Sequence, residues 1–415
     1  MTPKIKLRID QIRRGEIPKG YIRTVSGISP TDWKRYTFGD IYTERKEPGS
    51  EELPLLMVSI HSGVSDGEVD EEDLPKKVKR IADKSQYKKA VSGDLVFNMM
   101  RAWQGAIGTV RTTGMVSPAY IVAEPNDTVY PLFMDYYTRT PQMINQIDRQ
   151  SYGVTDFRKR LYWDSFIPIG CILPPVAEQQ KIAAILTTQD KVIELKEKRL
   201  AEKQRQKKYL MQQLLTGKKR LPGFNGAWKV DRLSKLFLER KETNYEGLQM
   251  LAITGAQGII PRKELDLKDN SSEDKSKYLR VCVGDIGYNT MRMWQGISAY
   301  SDYEGIVSPA YTILKPSSSI NAKYFAYLFK TPEIIFLFYR FSQGLVDDTR
   351  NLKYENFKKI KVCYPPDTKE QTAIAEVLSA ADREIGLLRQ DIEQEKQKKK
   401  ALVQLLLTGI VRVKT

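Results

Sequence analysis

The sequence predicts an α+β chain built as an internal repeat: two homologous mixed domains separated by two long antiparallel helices, a coiled coil, under pseudo-twofold symmetry. Three observations lead there. EQQKIAAILTTQDKVIELKEKRLAEKQRQKKYLMQQLLTG, Glu178 to Gly217, and EQTAIAEVLSAADREIGLLRQDIEQEKQKKKALVQLLLTG, Glu370 to Gly409, each run without an interior proline to a closing glycine. Their apolar seams keep one heptad register. The segments that precede them align to one another with few gaps.

Each helical stretch starts just after a Pro-Pro pair, Pro174-Pro175 or Pro365-Pro366, where a fixed φ halts the extended chain and permits a helix to begin. Each ends in LLTG, with Gly217 and Gly409 placed as left-handed caps. Nearly forty residues at about 1.5 Å each make a rod of roughly 60 Å, long for a globular helix. The seam of the first is Ile182, Leu186, Gln189, Ile193, Lys196, Leu200, Lys203, Lys207, Leu210 and Leu214. Adding 192 gives Ile374, Leu378, Ala381, Ile385, Leu388, Ile392, Glu395, Lys399, Leu402 and Leu406. The ends are apolar and the charged positions predict a weaker grip toward the last third, so each helix needs a partner.

The domains repeat as plainly. WKRYTFGDIYTERKE, Trp33 to Glu47, aligns without a gap to WKVDRLSKLFLERKE, Trp228 to Glu242. LLMVSIHSG from Leu55 matches MLAITGAQG from Met250, a strand running into a glycine-containing loop. DKSQYKKAVSGDLVFNMMRAWQG from Asp83 aligns to DKSKYLRVCVGDIGYNTMRMWQG from Asp274, and GMVSPAYIV and GIVSPAYTI follow at the same offset of 191. The expected domains are 1–175, a helix over 176–221, 222–366, and a helix over 367–415. YPLFMDYYTRTPQMINQID and AKYFAYLFKTPEIIFLFYR have helical spacing broken at a Thr-Pro turn and read as core. The N-terminal IDQIRRG is similar to MQQLLTG and VQLLLTG, either a stub of the repeated helix or chance.

A chain of 415 residues is too long for one ordinary core, and 41% apolar residues suffice for folded domains. Without an apolar run long enough to span a membrane or a signal-peptide core, the expected location is the cytoplasm. Cys171, Cys282 and Cys363 lie far apart in strand-like contexts and are expected as buried free thiols. A net charge of +16 with pI about 9.4 points to a polyanionic partner.

The missing chemistry narrows the function. His61 is the only histidine, which argues against imidazole metal clusters and general-base dyads. No glycine-rich phosphate loop occurs, and LPPV and YPPD are not the motif with which amino-methyltransferases hold a flipped base. The residues describe a non-catalytic binder without a cofactor or metal site of its own.

Three loop regions recur with polar and basic side chains. The first holds His61, Ser62, Ser65 and Asp66 in one copy and Gln257, Arg262 and Lys263 in the other. The second holds Arg101 and Gln104, and Arg292 and Gln295. The third is SYGVTDFRKRLYW from Ser151, with Arg158, Lys159 and Arg160, opposite SQGLVDDTRNLKY from Ser342, with Arg350, Asn351 and Lys353. Arg, Gln, Asn and Ser reach base edges in the major groove, and Lys or Arg beside Tyr suits phosphates. For Arg101, Gln104, Arg292 and Gln295 two readings stand, DNA contact or holding the fold in both copies. The loops at 61–73 and 256–268 differ between copies and are the better candidates for sequence reading, because two half-sites need not be the same.

This order of domain, Pro-Pro-x-x-Glu-Gln-x-x-Ile-Ala helix (Pro174 to Ala183) ending in LLTG, domain, and PPDTKEQTAIAEVL helix resembles the DNA specificity subunit of type I restriction-modification systems. The resemblance covers essentially the whole chain, and the GDLVFNMMRAWQG to VSPAY stretch is similar to that family's target-recognition domains. It implies a non-catalytic subunit that reads a bipartite double-stranded DNA target with two target-recognition domains held on the helical pair. Two methyltransferase subunits and, in the restriction form, restriction/translocase subunits would bind it, and S-adenosylmethionine and ATP would belong to them. The alternative is a stand-alone two-headed DNA-binding regulator or architectural protein.

Overall fold

The computed structural model describes residues 3–24, 27–60, 63–65, 83–155, 158–255, 258–265 and 274–413. The chain forms two units, Met1–Leu195 with Ile392–Thr415, and Lys196–Asp391. Each unit therefore holds one domain with the first part of one long helix and the last part of the other.

The long helices are Val176–Leu214, of 39 residues, and Thr368–Leu407, of 40, each starting two residues before its Glu-Gln pair. Gly217 and Gly409 both take φ 71°. Beyond them, the N–H of Lys219 returns to the carbonyl of Gln213 (3.1 Å) and that of Val411 to Leu405 (2.9 Å), folding the chain back over the last helical turn after the left-handed glycine. Within each unit the helical segments run antiparallel. In the first, Glu178 pairs with Arg412 and Gln189 with Glu395; in the second, Lys196, Lys203 and Lys207 meet Asp391, Glu384 and Asp382 in descending order. Ile182 and Leu186 share a core with Leu406, and Leu214 shares one with Ile374 and Leu378.

The charged seam differs from the expectation of a weakened grip. Lys196, Lys203, Lys207 and Lys399 each reach a carboxylate on the opposite helix, the last being Asp190 at 2.5 Å. Partly exposed pairs of this kind contribute at most about 1 kcal/mol each, so their effect lies mainly in fixing register.

Both domains are built on a four-stranded antiparallel sheet of one order. In the first it runs Tyr42–Glu44, Tyr120–Pro125, Leu95–Asn98, Ile107–Thr109; in the second, Phe237–Arg240, Tyr311–Pro316, Ile286–Asn289, Ser298–Tyr300. The central LVFN strand is buried throughout, which is why it lacks polar alternation. The aspartate of each Gly-Asp turn, Asp94 or Asp285, accepts the guanidinium of the ERKE arginine, Arg45 or Arg240, at 2.8 and 2.7 Å. As expected, the aromatic stripes fold as core helices, Pro131–Tyr137 and Pro141–Gln150, then Ala322–Leu328 and Pro332–Phe341, the Thr-Pro turn restarting each pair. The N-terminal segment is a helix, Pro3–Arg13, followed by Gly15 with φ 79°.

The Glu-Gln pair fastens helix to domain. Gln179 donates to the carbonyls of Pro174 and Thr128 and accepts the N–H of Tyr130 (2.8 Å); Gln371 donates to Pro365 and accepts the N–H of Asn321 (2.7 Å). Glu178 takes Arg412 through two bonds of 2.7 Å, and Glu370 takes Arg220 at 2.5 and 2.7 Å. All four side chains of the two pairs are buried.

The cysteines correct one expectation. Cys171 is buried, but Cys282 is half-buried and Cys363 exposed. Cys171 occupies the inward position of Gly170–Leu173, matched by Val362 in the second copy; Cys363 falls one residue later, and one step along a strand reverses the face.

A Cβ at Gly386 meets nothing within 4 Å, so Gly386→Ala should gain about 1 kcal/mol and raise the thermal midpoint by about 1–3 °C. Glu370→Ala strands the Arg220 guanidinium and should cost about 3 kcal/mol in urea unfolding, with the double variant Glu370→Ala/Arg220→Met recovering part of the loss.

Candidate nucleic-acid interface

The second loop region is a tight turn whose construction separates structural from free side chains. The Asn98 side chain accepts the N–H of Met100 (2.9 Å), Trp103 Nε1 donates to the Met100 carbonyl (3.0 Å), and Gly105 closes a 3-10 turn with φ 104°. Asn289, Trp294 and Gly296 do the same in the second unit, at 3.0 Å, 2.9 Å and φ 79°. The asparagine, tryptophan and glycine carry the turn. Arg101, Gln104, Arg292 and Gln295 are exposed and make no side-chain hydrogen bond or ion pair with other described residues.

The third region docks on this turn. The N–H of Leu161 donates to the Met99 carbonyl (2.9 Å) and that of Leu352 to Thr290 (2.8 Å). Each loop is pinched at its root by a reciprocal backbone pair, Tyr152 with Arg160 and Gln343 with Asn351. Lys159 bonds Asp148 at 3.0 Å and lies 5.2 Å over the Trp103 ring. At the same place in the second unit, Arg350 bonds Asp347 (2.7 Å) and the Tyr339 hydroxyl (2.9 Å) and stacks 4.0 Å from that ring. These two cations are anchored, whereas Arg158, Arg160 and Lys353 are exposed. Asn351 contributes its backbone to the pinch, and its side-chain amide donates to Thr349.

Of the first region, His61, Ser62, Asp66 and Gln257 lie outside the described residues. Ser65 closes the hairpin Val58–Ser59 with Gly63–Val64: its hydroxyl accepts the Met57 N–H at 3.0 Å. Arg262 is half-buried and Lys263 exposed on the 3-10 turn Arg262–Glu264. The Ile60 carbonyl sits 3.5 Å from where a Cβ on Gly105 would stand, so the root of this loop abuts the turn. Each unit thus gathers the second and third regions on one scaffold, with the first at its margin.

One residue escaped the sequence reading. Lys330 donates to the Gly296 carbonyl at 2.7 Å, and burial, with Lys207 adding repulsion, pushes its pKa down to about 8. Its counterpart Arg139 binds Asp135 instead. A base directly before each Thr-Pro pair was the available signal.

Residues 263–397 match the family model of the type I restriction modification DNA specificity domain. The chain carries a type I specificity domain. That domain spans the Arg292 turn, the 342–354 loop and the Glu370-Gln371 helix start, and the internal repeat gives residues 1–195 the same build. The chain is similar to a type I restriction enzyme MjaVIII specificity subunit of Methanocaldococcus jannaschii, 23% identical over 93% of this chain and 94% of that protein. A putative MjaX specificity subunit of the same organism is 28% identical over 59% of each; the chain thus spans somewhat over half of that relative. In fold it resembles the crystal structures of the HsdS subunit from Thermoanaerobacter tengcongensis (TM-score 0.50, 17% identity, 92% of this chain and 98% of that) and of the type I system S subunit from M. genitalium (0.54, 13%, 92% and 97%). No helix among the described residues is long and apolar enough to cross a membrane.

The lysine supplies a pH prediction for the specificity domain. A folded pKa below the ordinary 10.5 means the unfolded chain holds more protons between about pH 8 and 10.5, so the cost of burying Lys330 is full below pH 8 and fades above it. The urea midpoint of the wild type should therefore climb relative to Lys330→Met across that window, and parallel curves would contradict it.

Proposed function

We propose that this chain is the DNA specificity subunit of a type I restriction-modification enzyme. It reads a bipartite double-stranded DNA target, one half through each unit, and directs partner subunits to it while catalysing nothing itself. The observation that carries this reading is the repeated turn: a rigid asparagine-tryptophan-glycine frame holds Arg101 and Gln104, and again Arg292 and Gln295, at the surface beside basic loops. Arginine takes guanine and glutamine takes adenine in the major groove by paired hydrogen bonds, and a net charge of +16 supplies the phosphate attraction. The partners are two adenine methyltransferase subunits and, in the restriction form, restriction/translocase subunits. They bring S-adenosylmethionine and ATP, and the assembly acts on DNA in the cytoplasm.

In a mobility-shift titration, log affinity should fall linearly with log salt, at a slope of about 0.9 per neutralised phosphate. Arg292→Ala should cost about 1–3 kcal/mol at one base pair of one half-site, whereas Arg158→Ala or Arg262→Ala should weaken binding, uniformly and with a shallower salt slope where the contact is to phosphate. Methylation-site mapping after assembly with a methyltransferase partner gives both half-sites, and exchanging 342–354 should change one half and leave the other. Sequence-specific binding that confers no methylation on the partner would instead support a stand-alone DNA-binding protein.

A further inference from the structure

The loops at 151–163 and 342–354 each lift an aliphatic side chain out of the surface: Leu345 is 100% exposed, with Val346 beside it at 58%, and Val154 is 90% exposed. They occupy the same position of the repeat, 191 residues apart, although the pinching pairs below them differ, Tyr152 with Arg160 against Gln343 with Asn351. Single exposed apolar residues are ordinary, so exposure alone decides nothing. The support beneath Leu345 is what sets it apart. The pinch bonds between Gln343 and Asn351 are 2.8 Å in both directions, and Arg350 is locked between Asp347 and Tyr339. Gly344 takes φ 147°, with the backbone of Thr349 and Arg350 within 2.7 Å of where its Cβ would stand, so no side chain fits there. The tip is therefore ordered before any partner arrives, and its aliphatic group needs little further loss of freedom to be used.

We propose that Leu345 is a specificity-determining residue of the second unit that packs on the C5-methyl of a thymine in the major groove, with Val154 placed to do the same in the first. This rests on the DNA-reading function proposed above. The thymine methyl is the one apolar group that base edges offer in that groove. Arg292 and Lys353, exposed on the turn and loop that frame the tip, suit the neighbouring base edges and phosphates.

The test uses the full chain and duplexes bearing both half-sites, located by methylation mapping, with each thymine replaced in turn by deoxyuridine. At one thymine of the half read by the second unit, loss of the methyl should weaken wild-type binding about fourfold, the size of burying one methyl-sized group. Leu345→Ala should bind the two duplexes equally with an unchanged thermal midpoint, and Leu345→Met should keep the preference. A half-site without methyl dependence at any thymine, or Leu345→Ala with the preference intact, would overturn the contact. So would brightening of 2-aminopurine beside that position, which marks insertion into the base stack. Salt-sensitive, sequence-specific binding without a methyl preference defeats this contact alone, whereas a chain that binds no DNA defeats the specificity reading and the contact together.

Discussion

A buried glutamate at the start of each long helix, Glu178 or Glu370, holds the arginine that follows the end of the other helix. The carboxylate lies in the first helical turn, where the unpaired N–H groups and the helix dipole favour a negative charge. Its partner, Arg412 or Arg220, also packs against a tryptophan that opens the adjoining domain, Trp33 at 5.9 Å or Trp228 at 5.7 Å. One ion pair therefore ties together a helix start, a helix end and a domain entrance within a single unit. Neither charge could be buried without the other, so the three elements order together.

The second tie runs from the sheet domain to the helical seam. In the first unit the Tyr136 hydroxyl donates to Asp190 at 2.6 Å, and Lys399 pairs with the same carboxylate; in the second, Tyr327, Asp382 and Lys207 repeat the set. Each lysine also lies over its tyrosine ring, at 5.7 and 5.5 Å. A lysine on the seam that would loosen an isolated pair of helices is here a three-way joint. Under the proposed DNA-reading role, the exposed arginine and glutamine of each turn would discriminate base pairs only if their frame does not yield.

The surface regions divide by how tightly they are tied. The Arg101 and Arg292 turns are closed by backbone and indole bonds, and the following loops are pinned to them at Leu161 and Leu352. Lys159 and Arg350 spend their charge locally on Asp148 and Asp347, whereas Arg158, Arg160 and Lys353 beside them are exposed. The same framework repeats, with Arg101 and Gln104 matched by Arg292 and Gln295 at the turn, while the exposed side chains of the 151–163 and 342–354 loops differ.

Periodicity and self-alignment made much of this fold legible, since heptad spacing, Pro-Pro starts and LLTG ends follow from local backbone rules that act within a few residues. The turn regions were legible for the same reason, as short motifs present twice. Other features depend on groups far apart in sequence. Glu178 and Arg412 are 234 residues apart, and nothing in either neighbourhood announces the bond. The carboxylates that match Lys203 and Lys207 come from the opposite helix, the exposure of Cys363 turns on a one-residue difference in strand register, and the burial of Lys330 on the carbonyl of Gly296. Local sequence thus determined which helices, turns and repeats exist, because those are set by short-range sterics and hydrogen bonding. Which charges are buried, which are shared and which remain free to meet a partner was decided by tertiary structure alone, because desolvation and pairing depend on whatever the rest of the chain brings alongside.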